Sequence, residues 1–367
     1  MPRRPPSKPI ARATAQRAGG RHIAALDCEA DILEGLEPFG SDELSERFGR
    51  YVEQSARPAA GKLRFRYSGD LRALLDLRSI VAVYLVRRYM VPRPKALLGH
   101  QHLTALLDQI ATARALFPSD AYRTLRLGAA GEDSAVMSRL KAELAQHTGL
   151  RIAPDEGDLL LRLRRAGDRA GWEALVRLSP RPLATRAWRV CNRPGAPNAT
   201  LAHAMMRLSE PQPDDAIVNV TCGSGTLLVE RLALAPARSA IGCDIDRAAL
   251  GCARQNLRAA GYDRQVRLEP WDATRLPLAD RSATLVCSDL PFGQLSGSHS
   301  GNAALYPQIF AEATRIAAPD ARLVLLTHEV RLLEGVASDY TDAWRMENML
   351  RVRSGGMTPR VYLFRRL

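Results

Sequence analysis

Short apolar runs, each followed by a helical pattern, recur through the C-terminal half of the chain. Ala216-Ile-Val-Asn-Val220, Ser239-Ala-Ile-Gly-Cys243, Gln265-Val-Arg-Leu-Glu269, Ala283-Thr-Leu-Val-Cys-Ser288 and Ala321-Arg-Leu-Val-Leu-Leu-Thr327 read as strands. Leu227 to Leu234, Arg247 to Ala260 and Tyr306 to Ala317 read as helices, the second closed by Gly261. Apolar strands that alternate with helices imply a parallel sheet covered on both faces, and so an α/β fold. Two further strands, around Met346 to Val352 and Val361 to Arg365, are placed to close the sheet edge.

The first half follows a different pattern. Gly61-Lys-Leu-Arg-Phe-Arg-Tyr67 alternates basic and apolar residues, as a strand with one solvated face does. Asp70 to Arg88 is amphipathic through Leu71, Leu74, Leu75 and Ile80. Tyr122 to Leu127 is a strand candidate. Ser134 to Gly149 is a helix with a glycine stop, and Leu159 to Arg164 and Trp172 to Leu178 are strands joined by a Gly-Asp turn. Cys191-Asn-Arg-Pro-Gly-Ala-Pro197 reads as a linker by its proline and glycine content.

A length of 367 residues argues for two or three domains. With 46% hydrophobic and 5% aromatic residues, the core is mostly aliphatic. Lys plus Arg is 52 against 39 for Asp plus Glu, a formal charge of +13, which excludes an acidic disordered protein and makes a polyanionic partner plausible. Only Lys8, Lys62, Lys95 and Lys141 are lysines, and arginine enrichment of this kind also follows from GC-rich coding. None of the six cysteines (Cys28, Cys191, Cys222, Cys243, Cys252, Cys287) forms a Cys-x-x-Cys pair, so no metal site is expected. Their pattern is that of reduced thiols in a cytoplasmic protein. No apolar stretch is long enough for a membrane span. Residues 1–20 are basic, proline-containing and free of acids, and read as a disordered tail.

The candidate chemistry lies at strand ends of the C-terminal half, where open parallel sheets bind ligands. Asn219-Val-Thr-Cys-Gly-Ser-Gly-Thr226 offers Gly223 and Gly225 for close backbone approach, and a helix beginning near Thr226. Asp244 lies 21 residues after Gly223, a separation at which an acid can grip two ribose hydroxyls. Leu228 stands where a dinucleotide fingerprint wants a third glycine, which argues against NAD. Asp272, in Trp271-Asp-Ala-Thr, is placed to accept from an adenine amino group, and the capped helix from Asn198 could face an amino-acid carboxylate.

Asp289-Leu-Pro-Phe-Gly293 matches the Asp/Asn-Pro-Pro-aromatic motif of S-adenosylmethionine-dependent amino methyltransferases, with Leu290 in place of the first proline. An exocyclic base amine is a poor nucleophile because its lone pair is delocalised into the ring. The Asp289 carboxylate and Leu290 carbonyl can accept its hydrogens and free that lone pair. Pro291 fixes the turn and holds Leu290 extended, and Phe292 offers a face for an extruded base.

On these residues the chain resembles the THUMP-containing RNA guanine-N2 methyltransferases. The likeness rests on Thr221-Cys-Gly-Ser-Gly-Thr-Leu-Leu-Val-Glu230, Ile241-Gly-Cys-Asp-Ile-Asp246, Asp289-Leu-Pro-Phe-Gly293 and Gly355-Gly-Met-Thr-Pro-Arg-Val-Tyr-Leu363. It implies a Rossmann-like class I methyltransferase domain over 199–367, with a seven-stranded, mostly parallel sheet. Before it come a ferredoxin-like α+β domain over 21–95, a THUMP RNA-binding domain over 96–190 and a linker over 191–198. It implies S-adenosylmethionine as cofactor, held by Asn198, Thr200, Asn219, Thr221, Cys222, Gly223, Ser224, Gly225, Thr226, Asp244, Ile245, Asp272, Ala273 and Asp289. The catalytic turn is Asp289, Leu290, Pro291 and Phe292. The implied partner is tRNA, gripped at its acceptor region by a chain expected to act as a monomer. Asn219 departs from relatives that carry an acid there.

The catalytic motif alone serves adenine N6 as well as guanine N2, and ribosomal RNA or a decayed, non-catalytic RNA-binding role are the alternatives to tRNA methylation. In this frame Arg177, Arg181, Arg186, Arg189 and Arg193 are read as a phosphate track. Residues 177–193 hold no acid, and residues 57–95 hold ten basic side chains against two acidic ones.

Overall fold

The computed structural model describes residues 25–55, 59–168, 170–291 and 299–367. The basic tail expected over 1–20 lies outside them. In chain order the first part comprises β1 (Leu26–Asp31), α1 (Glu37–Phe48), β2 (Val52–Gln54), β3 (Lys62–Tyr67), β4 (Ala82–Tyr89), α2 (His100–Arg114), β5 (Thr124–Ala129), α3 (Ala135–Thr148), β6 (Arg151–Ile152), β7 (Leu159–Arg165) and β8 (Trp172–Arg177). These strands form one eight-stranded sheet in the order β2-β3-β1-β4-β8-β7-β5-β6. The antiparallel β4–β8 pair runs from Tyr84–Arg177 to Tyr89–Trp172, so the stretches on either side of residue 95 share a sheet.

The amphipathic stretch Asp70 to Arg88 is two elements. A single 3-10 segment, Leu71–Asp76, precedes β4. Within β4, Val83, Leu85 and Tyr89 enter the main core while Ala82 and Tyr84 face the opposite side with Leu175. That period of two overrides the weaker helical spacing. α3 is capped by the Ser134 side chain and stopped by Gly149 at φ 71°.

The second part comprises α4 (Ala199–Leu208), β9 (Ala216–Asn219), α5 (Thr226–Leu232), β10 (Ser239–Cys243), α6 (Arg247–Ala260), β11 (Val266–Glu269), β12 (Ala283–Asp289), α7 (His299–Ile316), β13 (Ala317–Thr327), α8 (Val330–Ser338), β14 (Trp344–Arg351) and β15 (Arg360–Arg366). The seven strands run β11-β10-β9-β12-β13-β15-β14. The first five are mutually parallel; β15 is antiparallel to β13 and β14. This is an α/β Rossmann-like sheet whose order reverses between β9 and β12. The carboxyl ends of β9, β10 and β12 meet there, which is where such a sheet opens a binding crevice.

Buried charge ties the two parts together. Glu230 of α5, fully buried, accepts from Arg78 of the first part (3.0 Å), Arg186 of the connecting segment (2.9 Å) and His203 of α4 (3.0 Å). Burial alone would raise this carboxyl, but the His203 hydrogen bond and the charges of Arg186 and Arg78 outweigh it and hold it at about 2. A second contact pairs the Arg353 amide with the Glu34 carbonyl (2.9 Å). Gly35 beside it has φ +98°, and a Cβ there would lie 2.1 Å from the Arg351 carbonyl oxygen, so only glycine fits. Among the described residues no helix is long and apolar enough to cross a membrane, and no group of three or more His, Cys, Asp or Glu side chains is arranged to hold a metal.

Candidate active site

The strand ends at the reversal point open onto a cavity of about 570 Å³. Its wall combines the turn after β9, the acid after β10, the Trp271–Ala273 segment, the end of β12 and one side of α7. Gly223 (φ 53°) and Gly225 (φ 80°) carry the turn through left-handed backbone. Gly225 is the N-cap of α5, and a Cβ there would press on Ala253 of α6 at 3.2 Å. The Gly223 amide donates to Asp244 Oδ2 (2.9 Å) and the Asp246 amide to Oδ1 (2.9 Å). The Asp244 carboxylate is thus fixed in orientation at the cavity edge and keeps further acceptor capacity on each oxygen.

Of the residues assigned to the cofactor from sequence, Thr221, Cys222, Gly223, Ser224, Thr226, Asn219, Asp244, Ile245, Asp272, Ala273 and Asp289 all line the cavity. Ile245 is 75% exposed at the rim, an apolar surface open to a planar ligand. One oxygen of Asp272 accepts from the Thr274 amide and hydroxyl (both 2.8 Å), so the residue shapes its turn and has one oxygen left for a ligand. Asn198, Thr200 and Gly225 do not line the cavity. Asn198 accepts from the Thr200 amide (2.8 Å) and caps α4, and Thr200 is fully buried. Their place is structural support, because the helix they begin packs into the core.

The polar groups left over point to a ligand. Asn219 is 1% exposed, yet both the oxygen and the nitrogen of its side chain lack a hydrogen-bond partner. Asp289 Oδ1 is likewise buried without a partner. Unpaired polar atoms are costly in a folded interior and mark places where a bound group completes the bonding. Desolvation pushes the Asp289 carboxyl up to about 8. Leu290 is buried, and its amide donates to the Leu326 carbonyl (2.9 Å). Phe292 and Gly293 lie outside the described residues.

The cavity also has walls that the sequence reading did not assign. Arg193 to Pro197, read as a linker, form one side of it. The segment is strapped down. Asn256 of α6 hydrogen-bonds both the amide and the carbonyl of Cys191 (2.9 Å each), and Arg193 pairs with Asp246. Cys191 and Cys252 form a disulfide across a Cα–Cα distance of 5.4 Å, which corrects the expectation that all six thiols are free. The other four cysteines are buried free thiols. Gly301, Asn302, Leu305 and Ile309 of α7 also line the cavity. Their only sequence signal is position, just downstream of the Asp289 motif.

Four of the five arginines read as a phosphate track have internal partners. Arg177 is buried and donates to the carbonyls of Ser179 (2.8 Å), Gly157 (3.0 Å) and Pro180 (2.5 Å). Arg186 is buried on Glu230, Arg189 bonds the Pro197 carbonyl and the Thr226 hydroxyl, and Arg193 pairs with Asp246. Arg186, Arg189 and Arg193 brace the junction between the two parts and Arg177 braces loops within the first, which a count of charges along the chain does not reveal. Arg181 alone is largely exposed, with a loose pair to Glu156 at 3.3 Å.

Comparison with known proteins agrees with this geometry. Residues 186–360 match the UPF0020 family, an RMKL-like methyltransferase domain. The mouse tRNA (guanine(6)-N(2))-methyltransferase THUMP3 is 31% identical over 180 residues, 46% of this chain. That match covers 36% of the mouse protein, so the chain spans about a third of the length of this relative. The tRNA (guanine(6)-N2)-methyltransferase of Thermus thermophilus is 26% identical over 347 residues, covering 92% of this chain and 99% of that one. The crystal structure of TrmN from Thermus thermophilus superposes with a TM-score of 0.70 at 25% identity, over 93% of this chain and 100% of that chain. SMU.472, solved in complex with SAH, shares the fold at a TM-score of 0.66 and 14% identity, over 92% and 97% of the two chains. The domain match shows an RMKL-like methyltransferase domain over residues 186–360, and nearly end to end the chain is similar to the tRNA guanine-N2 methyltransferase of Thermus thermophilus.

Proposed function

We propose that the protein transfers a methyl group from S-adenosylmethionine to the exocyclic 2-amino group of a guanine in tRNA, at nucleotide 6. The observation that carries this reading is the unpartnered Asp289 oxygen in the cavity wall, at the end of β12 and beside the glycine turn. The cofactor, when bound, supplies an electrophilic sulfonium methyl. Asp244 accepts from the ribose hydroxyls, Ile245 packs on the adenine, Asp272 accepts from its amino group, and the glycine turn lets the backbone approach the amino-acid end. The orphaned Asn219 amide supports a ligand with both donors and acceptors in this part of the cavity.

The remaining work falls to the Asp289 turn. Its carboxylate and the Leu290 carbonyl accept the two amine hydrogens, which draws the nitrogen lone pair out of the ring and holds it in line with the methyl carbon. Transfer would form the N–C bond as the methyl carbon's bond to sulfur breaks, with that electron pair leaving on a neutral thioether, and nitrogen would lose one proton. The Asp289 carboxylate can take it: with its conjugate acid raised to about 8, the ionised form is a stronger base than an ordinary carboxylate. Phe292 supplies the face on which the extruded guanine stacks.

The tRNA would be held by the first part of the chain, with residues 21–95 as a ferredoxin-like unit and 96–190 as THUMP. Its phosphate contacts are assigned to Arg181 and to the exposed Arg93 and Lys95, since Arg87, Arg88 and the other arginines of 177–193 are committed internally. The alternatives of ribosomal RNA and adenine carry no observation of their own here. The test is incubation of unmodified tRNA with the protein and methyl-labelled cofactor, followed by nucleoside mass spectrometry. N2-methylguanosine is the expected product; N6-methyladenosine, or no transfer to any RNA, would overturn the proposal.

A further inference from the structure

The carbonyls of Asp289, Leu290 and Pro291, the described part of the turn, are not equivalent. The Asp289 carbonyl accepts from the Thr221 hydroxyl at 3.1 Å. The Pro291 carbonyl accepts from the Tyr306 hydroxyl at 2.7 Å. Among the described residues no donor reaches the Leu290 carbonyl, which lies between them.

The hydroxyl contacts also have a direction. A hydroxyl carries one hydrogen. Tyr306 gives its hydrogen to the Pro291 carbonyl, so at its 2.9 Å contact with Thr327 it must accept. Thr327 in turn accepts from the Glu329 amide at 2.9 Å, which leaves its own hydrogen for Tyr306. The chain therefore runs one way, from the Glu329 amide through Thr327 and Tyr306 to the Pro291 carbonyl. On the other side Ser288 donates to Thr221, and Thr221 to the Asp289 carbonyl, by the same count. Tyr306 and Thr327 are buried to 1% and 0% exposure, so water does not compete for these bonds.

We propose that Tyr306 is a positioning residue for methyl transfer: it occupies the Pro291 carbonyl, so that the Leu290 carbonyl and the Asp289 carboxylate are the acceptors left for the substrate amine. The inference rests on the amine-methylation reading above. Without the Tyr306 bond the Pro291 carbonyl becomes a rival acceptor one residue away. The turn also loses its anchor to α7, just before the aromatic residue that would stack the base. An amine drawn to the wrong carbonyl has its lone pair aimed away from the methyl carbon. Tyr306 does not itself touch substrate in this scheme.

The test is Tyr306→Phe in the full chain, measured with tRNA under single-turnover conditions. We expect the transfer rate to fall at least tenfold. Affinity for S-adenosylhomocysteine and for tRNA should each stay within about twofold. Thr327→Val, which leaves the tyrosine but removes the hydroxyl that orients it, should lower the rate in the same direction by a smaller factor. A pH profile separates positioning from simple loss of structure. If Tyr306 positions the turn, Tyr306→Phe lowers the plateau and leaves the inflection near pH 8. If the turn collapses and Asp289 becomes solvated, the inflection drops toward the ordinary carboxylate range, and the proposal fails. A Tyr306→Phe rate within twofold of wild type also overturns it. Wild-type protein that transfers no methyl to any RNA overturns the functional reading instead, and this inference with it.

Discussion

Asp289 gives the sharpest prediction because its proposed catalytic role and its cost to the fold have opposite signs. Desolvation raises the carboxyl from an ordinary value of 3.8 to about 8. If the carboxylate is the form that accepts the amine, only about a tenth of the free protein is competent at pH 7 and about nine-tenths at pH 9. The single-turnover rate should therefore rise about tenfold between those pH values and level off above them. Asp289→Asn keeps one acceptor but cannot ionise. It should flatten the profile and lower the plateau by roughly a hundredfold to a thousandfold, about 3–4 kcal/mol of transition-state stabilisation. The same substitution should stabilise the fold. A raised carboxyl means that the folded chain holds a proton that the unfolded chain releases between about pH 4 and 8, so wild-type stability falls as pH rises through that window. Asparagine carries no such penalty. The gain at pH 8 should be on the order of 2 kcal/mol, well below the full shift, because the residue lines an open cavity. Stopped-flow or quench measurements across pH 6–9 and thermal melts at pH 5 and 8 supply both readouts. A rate that is flat in pH for the wild type, or an Asp289→Asn rate within a few-fold of it, would refute the reasoning.

Three further perturbations probe other parts of the account. Asp244→Ala should weaken cofactor binding by roughly 1–3 kcal/mol in calorimetry, through loss of charge-assisted ribose hydrogen bonds, and unchanged affinity would remove Asp244 from the site. Glu230→Gln leaves Arg186 and Arg78 without their buried counter-charge and should cost about 3–5 kcal/mol at neutral pH. Because the Glu230 carboxyl is held at about 2, its contribution is complete above about pH 4.5 and is lost as pH falls toward 2, so the variant's deficit should shrink in acid. A deficit that does not change between pH 7 and 3 contradicts this. Denatured but unreduced protein should titrate four thiols and reduced protein six, since Cys191 and Cys252 are joined. Six thiols without reductant would show the pair open.

Much of the catalytic half is legible in the residues, for local reasons. The helix Arg247–Ala260 begins at the Asp246 cap and ends where Gly261 takes a left-handed turn, and both signals stand in the sequence. The Ser239–Cys243 strand is a buried apolar run with an acid directly after it. The structure then places Gly223, Asp244, Asp272 and Asp289 around one cavity, as their spacing at strand ends implied. The misreadings share a different cause: they concern partners distant in sequence. Arg186 reads as free charge until Glu230, 44 residues away, is found beside it. Cys191 reads as a lone thiol until α6 brings Cys252 to it across 61 residues. The segment Arg193–Pro197 has the composition of a linker because prolines and a glycine also suit a rigid wall. Tyr306 shows nothing in sequence beyond a helical aromatic, since its role rests on a single hydroxyl aimed at a carbonyl 15 residues earlier.

The central claim is that the Asp289 turn acts on the 2-amino group of a guanine in tRNA. Inosine is guanosine without that amine and otherwise presents the same ring. Two transcripts of one tRNA, differing only in guanosine or inosine at nucleotide 6, should be given the protein and methyl-labelled cofactor. The account predicts stoichiometric N2-methylguanosine in the first and background incorporation in the second, with equal binding of both. Equal methylation of the two transcripts, or label recovered in adenosine, would contradict it.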